Sequence, residues 1–133
     1  MDTNVISALW SNEVSAPVLL AKLGMALEDG PLVIGPAVFG ELHAHPNVVG
    51  GPFRSNLHAA GIRIDFQMEE HIWVLAEERY AGYANVRRAS GGESPRRILP
   101  DFLIGAHALV HADRLVTLDE GIYRRYFPEL CLL

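Results

Sequence analysis

Four acids fall at or near junctions between extended and helical runs: Asp2, Glu41, Asp101 and Asp119. Carboxylates gathered at one edge of a sheet repel one another, so such a cluster is costly unless protons or cations neutralise it. All-oxygen donor sets select hard cations, Mg²⁺ or Mn²⁺. An ion held in that way activates a water and stabilises charge on a phosphate, which is the chemistry of phosphodiester hydrolysis. Each acid also has an ordinary alternative. Asp2 could be a frayed chain end. Glu41 could be a surface residue of its helix, Asp101 a cap after Pro100, and Asp119 a cap for the turn at Glu120.

The elements that must position these acids follow from periodicity. Residues 3–10 can start a helix, and 11–17 read as a loop. Residues 18–30 carry Val18, Leu19, Ala21, Leu23 and Leu27 at helical spacing, and Gly30 stops the run. Residues 31–35 are a short apolar strand. Residues 36–46 read as a helix with Pro36 in its first turn and Pro46 beyond its end. Residues 47–57 are rich in Gly and Pro and lead into a helix near 55–60. A strand follows at 61–66, then a long amphipathic helix at 69–86. Residues 90–95 (SGGESP) read as a loop, 100–112 as a strong helix, 114–119 as a strand ending at Asp119, 120–128 as a short helix or turn, and 129–133 as a closing strand. Strands alternating with helices predict an α/β sandwich with a mainly parallel sheet. In such sheets a site lies beyond the carboxyl ends of the strands, where all four acids can converge.

At 133 residues the chain is expected to be a single domain spanning 1–133. The net charge of −5 argues against a basic nucleic-acid coat but not against a nuclease, whose metal-binding acids are themselves negative. The basic charge is ten Arg and a single Lys, Lys22, and Arg87, Arg88, Arg96 and Arg97 stand close together. Arg makes forked contacts with phosphate, although a solvated basic loop is the ordinary reading. The single cysteine, Cys131, reads as a small apolar residue of the last strand, and it leaves no intrachain disulfide and no Cys-based zinc site. No membrane span or signal peptide is evident, so the expected location is the cytoplasm. His43 and His45, two apart, do not share a helix face. His107 and His111, four apart, do, but no third ligand stands out in the sequence.

The runs DTNVI at 2–6, AVFGEL at 37–42, PDFLIGAHAL at 100–109 and LVTLDEGIYRRYFPEL at 115–130 resemble the PIN-domain family, nearest to the VapC-type ribonuclease toxins of toxin–antitoxin pairs. The resemblance implies a three-layer α/β/α sandwich with a mainly parallel central sheet. Only Met1 precedes Asp2, so the first strand is expected to be truncated. It implies a Mg²⁺- or Mn²⁺-dependent endoribonuclease in which Asp2, Glu41, Asp101 and Asp119 are catalytic and Asp2, Asp101 and Asp119 hold the metal. Asn4 would orient Asp2, and Thr117 would support the last acid. RNA, an antitoxin protein and a second copy of the chain are the implied partners, with Arg87, Arg88, Arg96 and Arg97 a candidate RNA-backbone contact. Two alternatives remain: a catalytically weak or inactive PIN-fold binding module acting through a protein or RNA partner, and a phosphohydrolase of small phosphoesters.

Overall fold

The computed structural model describes residues 1–46, 48, 52–91 and 99–133. It is an α/β structure. Its helices are α1 (Thr3–Trp10), α2 (Ala16–Asp29), α3 (Pro36–Leu42), α4 (Phe53–Ala59), α5 (Glu70–Ala89), α6 (Leu99–His111) and α7 (Glu120–Tyr126), and its strands are β1 (Leu32–Ile34) and β2 (Ile62–Ile64). The residues fall into two compact units, one of 1–67 with 116–118 and 133, the other of 68–115 with 119–132.

In the first unit β1 and β2 pair in parallel, with Leu32, Val33 and Ile34 opposite Ile62, Arg63 and Ile64. Their connection runs through α3 and α4, as a parallel pair requires. Gly61 makes the turn from α4 into β2 at φ +73, a backbone conformation that suits a residue without a Cβ. α1 packs on α2 and α3, and Val5, Ile6, Leu19, Leu23, Ile34, Val38, Leu42 and Leu57 are buried. α3 ends at Leu42, short of Pro46. The backbone tightens there, with His43, Ala44 and His45 bonding three residues back to Gly40, Glu41 and Leu42.

In the second unit α5 packs along α6. α6 is buried continuously from Phe102 to Ala108. Phe102 sits among Tyr80, Tyr83, Tyr126 and Phe127, with ring centroids 5.2–6.2 Å away. A Cβ on Gly105 would stand 2.5 Å from the Phe127 ring, so only a glycine lets that ring close on α6. Leu115 and Leu132 form a single parallel bridge. That bridge is all the regular pairing in the runs expected as strands at 114–119 and 129–133. Cys131 is exposed rather than part of an apolar strand face. Among the described residues, no helix is long and apolar enough to cross a membrane.

Candidate active site

Asp2 is extended, and the backbone of Met1 and Asp2 reaches two neighbours. The Met1 amine donates to the Val33 carbonyl of β1 at 2.7 Å, and the Asp2 N–H donates to the Val116 carbonyl at 3.0 Å. Burial pushes the Met1 amine down to about 6, against the pull of the Asp2 charge. Asp2 therefore occupies a strand-like position that ends directly at α1.

The Asp2 side chain is 5% exposed, which removes the frayed-end reading. Its Oδ2 accepts from the Thr117 hydroxyl at 2.7 Å and from Asn4 Nδ2 at 2.8 Å. Asn4 in turn accepts the Leu118 N–H on its own Oδ1 at 3.0 Å, which fixes which way its amide points. The same amide nitrogen stands 3.3 Å from the Thr117 hydroxyl. Thr117 is also 5% exposed. A buried carboxylate needs such donors, because an uncompensated charge in the interior is costly. Asp2 makes no capping bond to α1, so its carboxylate is not spent on ending that helix.

Glu41 lies near the end of α3, half-buried, next to buried Leu42. The Thr3 hydroxyl, on the residue after Asp2, donates to its Oε2. Thr3 was not singled out in the sequence, yet it lies inside the DTN run and ties the Asp2 segment to α3. Asn4 donates to Asp2, and Thr117, expected to support the last acid, donates to Asp2 as well.

Asp101 and Asp119 belong to the second unit. Asp101 is half-buried in the first turn of α6, where the helix dipole favours a carboxylate. Asp119 precedes α7 and makes no side-chain capping bond to it, so the capping alternative fails there too. Within the first unit the chain thus gathers Asp2, Asn4 and Thr117 into one hydrogen-bonded cluster and links Glu41 to the same segment. Carboxylates such as Asp2, oriented by two neutral donors, are the hard oxygen donors that Mg²⁺ and Mn²⁺ take.

Of the basic residues, Arg87 and Arg88 lie in the last turn of α5, where a cation also suits the helix dipole. Arg96 and Arg97 lie outside the described residues. His43 closes α3, with its Nδ1 2.8 Å from the Phe39 carbonyl, as a helix-end residue.

No curated protein matches this chain. Among solved structures, the crystal structure of VapBC2 from Rickettsia felis bound to a DNA fragment from their promoter resembles it, with a TM-score of 0.60 and 18% identity over 99% of this chain and 94% of that one. At that identity the likeness is one of fold. The sequence itself matches the PIN domain over residues 1–128, and the chain therefore belongs to the PIN-domain family.

Proposed function

We propose that this chain is a Mg²⁺- or Mn²⁺-dependent endoribonuclease, the toxin of a toxin–antitoxin pair, working as one functional domain over residues 1–133. PIN domains are in general nucleases. The observation that carries the reading is the buried Asp2 carboxylate, aimed by Thr117 and Asn4 and spared from helix capping.

Asp2, Asp101 and Asp119 would hold the ion, with Glu41 as the fourth catalytic acid. When bound, the ion lowers the pKa of a water and neutralises charge on the scissile phosphate. Thr117 and Asn4 fix the Asp2 carboxylate in one orientation before substrate arrives, and the Thr3 hydroxyl does the same for Glu41. Arg87, Arg88, Arg96 and Arg97 would meet the RNA backbone through forked contacts with phosphate.

An antitoxin protein is the proposed partner, since the similar solved structure is a VapBC2 assembly. A homodimer is proposed as well. Its proposed interface is α2, which exposes Val18, Leu20, Met25 and Leu27, whereas α6 is core. We place the protein in the cytoplasm.

The test is Mn²⁺-dependent cleavage of a mixed RNA pool by the purified chain and by Asp101→Asn. Cleavage lost in the variant supports the carboxylate nuclease. Silence from the wild type, folded and free of partner, favours an inactive binding module. Turnover of a generic phosphomonoester in place of RNA would point to a small-substrate phosphohydrolase.

A further inference from the structure

In the first unit, Phe39 of α3 is the hub of an aromatic group that reaches the surface. Centroid to centroid, the His43 ring stands 4.5 Å from it, Phe53 of α4 5.4 Å and Phe66 5.2 Å. The Arg54 guanidinium lies over two of these rings, 5.2 Å from the centroid of Phe39 and 5.4 Å from that of Phe66. The His43 ring is exposed, yet the Phe39 carbonyl holds it at 2.8 Å from Nδ1.

Aromatic rings that only complete a core are covered by it. Here Phe53 is buried, but Phe66 leaves 52% of its surface to solvent, and Arg54 is exposed beside it. Among the described residues no carboxylate pairs with Arg54, so nothing draws the guanidinium away from the rings. The local charge also differs from that of the chain as a whole. From Gly30 to Ile64 the one acid is Glu41, against Arg54 and Arg63, in a protein of net charge −5. Exposed rings offer flat faces to unpaired bases, and an adjoining guanidinium offers forked donors to phosphate.

The group lies along the edge that carries Asp2. The Ile34 carbonyl of β1 accepts the Asp65 N–H, just past β2, and the Val33 carbonyl accepts the Met1 amine. Successive carbonyls of a strand point to opposite sides, so β1 lies between β2 and the Asp2 segment. Phe66 follows the carboxyl end of β2, and α3 follows that of β1, the end at which parallel sheets bind ligands. The end of β2 is thus two strand spacings, about 10 Å, from the Asp2 segment. Glu41 stands on α3 between Phe39 and His43.

We propose that the exposed rings of Phe66 and His43, seated on Phe39 and flanked by Arg54, form a stacking platform for unpaired bases of single-stranded RNA. RNA as the ligand rests on the nuclease reading, and the platform adds that the strand is bound unpaired. Bases stack on the rings while Arg54 meets the backbone between them.

The experiment uses the full chain with a chelator present, so that nothing is cut. Fluorescence anisotropy compares a short unstructured oligoribonucleotide of mixed sequence with a blunt RNA hairpin of the same length. The single strand should bind more tightly. Phe66→Ala should weaken its binding by roughly fivefold or more, the loss of one stacked base. Phe66→Leu keeps the apolar bulk without the ring and should weaken it likewise, whereas Phe66→Trp should restore it. Arg54→Ala should lower the slope of log affinity against log salt by about one. Both positions are exposed, so every variant should keep the wild-type Tm. Wild-type affinity in Phe66→Leu, preference for the hairpin, or no binding by the wild type overturns the proposal. Unchanged RNA binding in Phe66→Leu with an altered oligomeric state also overturns it and assigns the rings to a protein contact. Cleavage is read separately with Mn²⁺. A wild type that binds through Phe66 and does not cut retains the platform and removes the nuclease reading. A wild type that cuts RNA, with KM unchanged in Phe66→Leu, does the reverse.

Discussion

Thr117 spends its hydroxyl on a carboxylate that water scarcely reaches. Replacing it with Val keeps the volume and removes the donor. Thr117→Val should cost about 1–3 kcal/mol of stability, read by urea unfolding, and should lower cleavage, whereas Thr117→Ser should restore both. Full activity in the Val variant would mean that Asp2 does not need this orientation. Gly105 makes a different kind of demand, because the Phe127 ring occupies the space a Cβ would take. Gly105→Ala should destabilise by about 1–3 kcal/mol through overpacking, seen as a lower Tm. At this scale much of the site was legible. Asp2 stood out by its place before a helical run, whereas Asn4 and Thr117 came only with the resemblance, which set Thr117 beside the last acid. Thr3 was not legible, because a Thr in the first turn of a helix has many ordinary uses and its partner, Glu41, is 38 residues away. Gly105 was also opaque, since the ring that fixes it arrives from beyond α7.

Helices were read well where an apolar face repeats over many turns, as in α5 and α6, because such a face must be buried whatever surrounds it. The run 114–119 misled for a physical reason. Leu115, Val116 and Thr117 are buried as a strand would be, but their polar groups are satisfied elsewhere. The Val116 carbonyl accepts the Asp2 N–H, and the Leu118 N–H goes to the Asn4 side chain rather than to a neighbouring strand. Burial was legible there, and the choice of hydrogen-bond partner was not. After α7 the chain is anchored by Arg79 of α5, which donates to the Tyr126 carbonyl at 2.9 Å and to Glu129 at 2.7 Å, with its guanidinium over the Phe127 ring. The Arg79 hydrogen bond holds the Glu129 carboxyl below its ordinary value, helped by a bond from the backbone. A carboxylate with a depressed folded pKa stabilises the fold above its unfolded pKa and loses that contribution as pH falls through the folded one. The loss therefore belongs to the acid range, below the ordinary carboxylate value of 4.5. Arg79→Gln should move Glu129 back towards that value in an NMR titration. An unmoved titration would assign the shift to the backbone bond alone.

For the whole molecule, the proposed RNA substrate must be reconciled with a charge of −5. On that proposal binding would rest on local clusters of Arg, each phosphate neutralised steepening the salt dependence. Replacing Arg96 and Arg97 with Ala should flatten the slope of log affinity for RNA against log salt, and an unchanged slope would remove these residues from the interface. The exposed apolar side chains of α2 set a second test, because Met25→Glu should shift the chain towards monomer in size-exclusion chromatography if that helix carries the dimer. The cluster around Asp2 has one more consequence, which concerns time. Thr117 lies 115 residues after the carboxylate it holds, and Leu118 lies 114 after Asn4. Contacts so distant along the chain close late. While the protein is being synthesised, Asp2 is made 115 residues before its hydroxyl donor. A nascent chain stalled before residue 117 therefore lacks the hydroxyl that, with Asn4, orients the Asp2 carboxylate.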